Sequence, residues 1–193
     1  MFKKRFNLFI LILCMILCIA GCTKTPEPQL TEKVNVKVEM EDGSYFVIEV
    51  CPEYAPVTAT NFVDLVNSGF YNGLNFHRIV PGFVIQGGCP DGNGMGGSGK
   101  NIQGEFLSNG FEGNTLSHTK GVVSMARADD PNSASSQFFI CLNDATHLDG
   151  DYAAFGKVIE GMETVEAISK ERTDMNDNPL TPVVMKNVSV ITQ

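Results

Sequence analysis

Eight short apolar runs separated by turn residues constrain this chain more than any other feature. In the first, Val34, Val36 and Val38 alternate with Asn35, Lys37 and Glu39, the pattern of a strand with one buried face and one wet face. Glu41-Asp42-Gly43 has hairpin-turn chemistry, and Tyr45–Val50 reads as the returning strand. The other runs are Asn75–Val80, Phe83–Gln86, Gly121–Ala126, Gln137–Leu142, Ala153–Ile159 and Val183–Ile191. Two stretches have helical spacing instead. Pro56–Ser68 sets Phe62, Leu65 and Val66 at i, i+3 and i+4 and stops at Gly69, and Met162–Lys170 places Val165 and Ile168 in the same way. The expectation is a mainly β fold: a closed eight-stranded antiparallel barrel capped by two α-helices, since closure leaves no sheet edge exposed.

The N-terminus has a different character. Met1–Arg5 is basic, and Phe6–Ile19 is apolar except for Asn7. That run is shorter than the roughly 20 residues of a membrane span and has the length of an export-signal core. Ile19-Ala20-Gly21-Cys22 follows and resembles a bacterial lipobox. The resemblance implies diacylglycerol on the Cys22 thiol and cleavage ahead of it. Residues 1–21 are thus expected to be a lipoprotein signal peptide. Residues 22–33, with Pro26 and Pro28, are expected to be a lipidated cysteine and flexible spacer, and residues 34–193 the folded domain. The expected location is the cell membrane, on its extracytoplasmic side.

Charge narrows the partners. The full chain carries −8, and loss of Lys3, Lys4 and Arg5 with the signal takes it to −11. Such a protein is repelled by phosphate backbones, which excludes nucleic acid as the expected ligand. Cys14 and Cys18 leave with the signal. Cys51, Cys89 and Cys141 remain, an odd number with no C-x-x-C pair, so no disulfide framework is implied, and the sequence does not decide whether Cys51 pairs with Cys89. Cys141 ends a run of Phe138, Phe139 and Ile140 and reads as a small buried hydrophobe.

Two phosphate-loop patterns are decoys. Gly92–Gly97 fits G-x-G-x-x-G, and Gly94–Lys100 begins like a Walker A loop, but Asn101 stands where a Mg²⁺-binding hydroxyl belongs. Both patterns require a helix to start here, and no helical spacing follows. His77, His118 and His147 sit at no metal-ligand spacing, and no nucleophile–base pair is evident. Neither a metal nor a cofactor is expected.

The chemistry lies in three stretches: residues 71–88 (YNGLNFHRIVPGFVIQGG), 124–140 (SMARADDPNSASSQFFI) and 147–158 (HLDGDYAAFGKV). Arg78 supplies a permanent cation with a planar fork of donors. Gln86 lies eight residues on, across the Pro81-Gly82 turn, in reach to orient that fork. Phe83 and Val84 share the hairpin, and Phe139 comes from another strand, its neighbour Phe138 turning to the opposite face. An apolar ring beside a hydrogen-bond donor suits a prolyl peptide.

Together the three stretches resemble the cyclophilin-type peptidyl-prolyl cis/trans isomerases, in the family's order and across essentially all of Val34–Ile191. The resemblance implies a cyclophilin-like barrel, isomerisation of Xaa-Pro bonds during folding of exported proteins, proline-containing polypeptides as partners, and a monomer. It implies that Arg78, Gln86 and Phe83 form the catalytic set. It places substrate-binding residues at His77, Val84, Gly94, Ala126, Arg127, Gln137, Phe139, His147, Leu148 and Tyr152. There are departures. Val84 replaces a frequent Met, Arg127 a common Asn, Tyr152 a common His, and His147 a common Trp that helps to bind cyclosporin. Weak cyclosporin binding is therefore expected. The competing expectations are a cyclophilin-like module that holds proline segments or acts as a chaperone with little turnover, and a transporter's solute receptor, which would need a longer two-lobed chain.

Overall fold

A computed structural model of the protein describes residues 29–192. The signal, Cys22 and most of the spacer lie outside them. At the spacer's end Leu30 packs on the core and donates its amide to Thr60 Oγ1 at 2.8 Å, so contact with the domain begins before Val34.

Eight strands form one sheet: β1 (Val34–Met40), β2 (Tyr45–Val50), β3 (Phe76–Val80), β4 (Val84–Gly87), β5 (Val122–Met125), β6 (Phe138–Cys141), β7 (Ala154–Glu160) and β8 (Met185–Ile191). All ladders are antiparallel, in the order β3-β4-β6-β5-β7-β2-β1-β8. The helices are α1 (Pro56–Asn67) and α2 (Met162–Ile168). Each expected strand and helix is present, with ends shifted by a few residues.

The expected closure is not made. β3 and β8 are the two ends of the strand order, and no ladder joins them. The curled sheet is tacked across this seam by an isolated bridge, Asn75 to Val184, and by nearby bonds such as Phe76 N–H to Val183 O (2.9 Å) and Met185 N–H to Leu74 O (2.8 Å). Asn75 and Val183, read as strand residues, lie in this tacked seam outside the ladders.

The inner face of the sheet and α1 enclose the core. Phe138 contributes to it, with its ring edge-on to Phe62 (5.5 Å), Tyr71 (5.6 Å) and Phe76 (6.0 Å). Helix α1 has Pro56 in its first turn but no side-chain cap of its own. The cap comes from a distant loop. The buried Glu105 carboxylate accepts from Val57 N–H at 2.9 Å and Thr58 N–H at 2.8 Å, two amides that a helix start leaves without intrahelical partners.

Loop segments carry the rest. No helix starts after the glycine-rich residues 92–99, as the rejection of a phosphate loop requires. Short 3₁₀ turns at Leu107–Asn109 and Thr146–Leu148 have no periodic signal in the sequence. Cys51, Cys89 and Cys141 are all free thiols. Burial pushes the Cys51 and Cys141 thiols up to about 12.

Candidate active site

The outer face of β4 and β6 carries a second, smaller apolar cluster. Val84, Phe139, Cys141 and Ala145 are buried in it, and Phe83, Ala126, Leu148 and Tyr152 pack on its rim. Strand alternation sends Phe138 to the core and Phe139 to this cluster.

A bulge aims the polar residues. Along β3, Phe76 pairs with Gly87 and Arg78 with Gln86, so His77 is the extra residue. It turns inward and is buried, while Arg78 reaches the surface opposite Gln86. Gly82, with φ of 77°, turns the chain from β3 into β4, a backbone state that a side chain at this position would strain.

Above the small cluster lies a cleft of about 230 Å³. Arg78, Gln86 and Arg127 give it polar walls, and Phe83, Val84, Ala126, Phe139, Leu148 and Tyr152 make the apolar remainder. Nine of the residues expected at the site meet here. Tyr152 stands edge-on to Phe139 at 5.8 Å. A neighbouring groove of about 400 Å³ shares Gln86, Ala126 and Arg127 with the cleft and adds Gly94 and Gln137. His77 and His147 line neither space. His147 is exposed and stacks on Phe83 at 5.6 Å.

Gln86 faces Arg78 across the β3–β4 pair, but among the described residues no hydrogen bond joins the two side chains. Gln86 Nε2 donates to Gln137 Oε1 at 2.9 Å, and Gln137 Nε2 donates to the carbonyls of Gly94 and Gly96, both at 2.8 Å. Gln86 therefore braces the glycine loop. The group beside Arg78 is Asp177, with Oδ2 at 3.6 Å from Nε. Asp177 sits at φ of 64° in a tight loop pinned to β3 by Ile79 N–H to Asp177 O at 2.8 Å. His77 packs below the loop, and neither ring nitrogen has a protein partner, because the Gln137 amide is already committed to the loop carbonyls. Burial, aided by the nearby Arg78 charge, holds the His77 pKa below its usual value.

Sequence reasoning missed the support beneath Phe139. His118 stacks on that ring at 6.0 Å and 17°. Its Nδ1 lies 2.7 Å from Asp149 Oδ1 and its Nε2 3.0 Å from Ser124 Oγ. Burial alone would raise the Asp149 pKa, but bonds from the Ser117 hydroxyl, the His118 amide and the His118 ring outweigh it, and the pKa falls. An ionised Asp149 can only accept, so Nδ1 carries the proton and Nε2 of a neutral ring accepts from Ser124. Burial likewise depresses the His118 pKa. This Ser–His–Asp order is not a hydrolase triad: Ser124 is fully buried, and no substrate carbonyl can reach it. Residues 118, 124 and 149 share no motif, so only the fold brings them together.

Comparison with known proteins decides the lineage. The family model for cyclophilin type peptidyl-prolyl cis-trans isomerases matches residues 35–190. The chain belongs to the cyclophilin family of peptidyl-prolyl cis-trans isomerases. Peptidyl-prolyl cis-trans isomerase B of Bacillus subtilis is 47% identical over 130 residues, spanning 67% of this chain and 87% of that protein. An isomerase of Schizosaccharomyces pombe is 40% identical over 158 residues, covering 81% and 99%. A Cryptosporidium parvum cyclophilin structure superposes with a TM-score of 0.75 at 30% identity, covering 84% of this chain and 99% of that one. The same protein solved in the presence of the dipeptide Ala-Pro superposes with a TM-score of 0.74 at 31% identity, covering 82% and 99%. This cyclophilin is thus an isomerase by family. Among its described residues no group of three or more His, Cys, Asp or Glu is placed to hold a metal, and no helix is long and apolar enough to cross a membrane.

Proposed function

We propose that this cyclophilin accelerates Xaa-Pro rotation in proteins folding outside the cytoplasm, from a lipid anchor on Cys22. The observation that carries the site assignment is one cleft that joins an apolar floor at Phe139 to the Arg78 guanidinium on its rim. Rotation about a peptide bond costs about 18–20 kcal/mol because the nitrogen lone pair is delocalised into the carbonyl. Midway through, the lone pair localises on nitrogen and accepts a hydrogen bond. A donor aimed there binds the twisted state better than either planar state, which is the condition for catalysis. In this reading the proline ring sits against Phe83, Phe139 and Leu148, and Arg78 is the donor. Gln86 and Gln137 hold the glycine loop that bounds the site. The backbone of Ala126 and Arg127 bonds the extended substrate. No proton is transferred and no covalent intermediate forms.

The neighbour solved with Ala-Pro supports a prolyl peptide as ligand. Export follows from the basic, apolar and lipobox order of residues 1–22. Unaided prolyl isomerisation takes tens of seconds or more, so a newly exported chain gains from a tethered catalyst. The protein is read as a monomer. The test is exchange NMR on an Ala-Pro peptide with substoichiometric protein. Faster cis/trans exchange supports an enzyme, whereas binding without faster exchange supports a holding module.

A further inference from the structure

We infer that Arg127 is a specificity-determining residue that selects peptides with an acidic side chain within two residues of the proline. The inference rests on the isomerase reading of the adjoining cleft. Arg127 leaves the end of β5, where Ala126 N–H donates to Gln137 O at 2.9 Å and fixes the chain. Its guanidinium lies over two rings, 4.8 Å from Tyr152 and 5.3 Å from Phe106. Nε donates to Asp151 O at 3.1 Å, and Nη1 donates to Ala128 O at 2.9 Å. Ring faces and carbonyls thus hold the fork in place without cancelling its charge. Among the described residues no carboxylate lies within ion-pair distance of it, and Nη2 has no protein partner.

The position of this cation gives it a role. Arg127 stands on the ridge between the 230 Å³ cleft and the 400 Å³ groove and lines both. The groove is polar, walled by glycines and by Ser133, Ser135 and Gln137, and Arg127 is the one charged side chain on it. An extended peptide advances about 3.3–3.6 Å per residue, so with proline in the cleft the next residue or two fall in the groove. A carboxylate there meets a preorganised, unpaired Nη2 donor and forms a charge-assisted bond. The protein's overall charge of −8 acts in the opposite sense and disfavours acidic peptides at long range. A preference for acid must therefore come from groups at the site itself, and Arg127 is the cation that both spaces share.

The test is kcat/KM from exchange NMR on proline peptides carrying Glu, Gln or Lys at each position from two before to two after the proline. At one of these positions wild type should favour Glu over Gln by roughly tenfold and place Lys lower still, a step of about 1.4 kcal/mol. The Glu/Gln ratio should shrink in about 1 M salt and fall toward one in Arg127→Gln, while Arg127→Lys keeps part of it. If Arg127→Gln does not fold by circular dichroism, the wild-type ratios and their salt dependence decide alone. Gln peptides turned over with a Glu/Gln ratio of one everywhere would overturn the assignment to Arg127 and leave the isomerase reading intact. A ratio unchanged in folded Arg127→Gln would do the same. Absence of turnover on every peptide would defeat the isomerase reading, and this inference with it.

Discussion

With Asp177 Oδ2 3.6 Å from its Nε and 40% of its side chain exposed, Arg78 is a rim residue and not half of a buried ion pair. An exposed pair of this kind contributes at most about 1 kcal/mol to stability, so structure alone does not explain an arginine here. Its company of Phe139, Phe83 and Gln86 was legible in the sequence because the three motifs keep those residues in order. The Gln86–Gln137 bond and the place of Asp177 were not, since each depends on a contact between distant segments. His147 was legible as a position, and the structure supplies its geometry: it is exposed and stacks on the Phe83 ring that lines the cleft. Imidazole offers less apolar area there than indole and lacks its donor. Cyclosporin should therefore inhibit weakly, and His147→Trp should tighten inhibition while Xaa-Pro turnover is monitored in the same assay. Inhibition of wild type at low nanomolar concentration would contradict this.

Strands were the most readable elements, because a period of two is written directly in residues such as Val34, Val36 and Val38. The bulge at His77 was hidden, since an extra residue in one strand shows only against its partner. The cap on α1 was hidden for the same reason, as Glu105 lies far from Val57 in the chain. β5 and β6 carry a pH-sensitive feature. His118 is buried beside Phe139, and burial depresses both its pKa and that of His77. Their unfolded values lie near about 6.5. Between that pH and the lower folded values the unfolded chain binds more protons, so stability present above about pH 6.5 is lost as pH falls through this window. Asp149, also depressed, extends the loss below about pH 4 as it takes up a proton. Urea unfolding across pH 7 to 4 should show a falling midpoint, with a shallower fall in His118→Gln. A flat midpoint would contradict the neutral, buried assignment.

For the molecule as a whole, sequence pattern specified the strand count and left closure open, because closure depends on whether the two end strands pair. Here the β3 and β8 ends are joined by an isolated bridge and a few backbone bonds, not by a ladder. The site lies on the outer face of the strands at the β3 end of the order. Mass spectrometry of native protein should find an acylated N-terminal Cys22. Cys22→Ala should release the protein from the membrane with its fold unchanged, whereas an intact Met1 would remove the anchor. The most direct test of the mechanism is the exchange rate of an Ala-Pro peptide with wild type and with Arg78→Ala, each checked by circular dichroism. A bond from a charged donor contributes about 1.5–3 kcal/mol. If it forms mainly in the twisted state, its loss should slow turnover by roughly ten- to 150-fold in a folded protein. Near-wild-type exchange in folded Arg78→Ala would take Arg78 out of the mechanism.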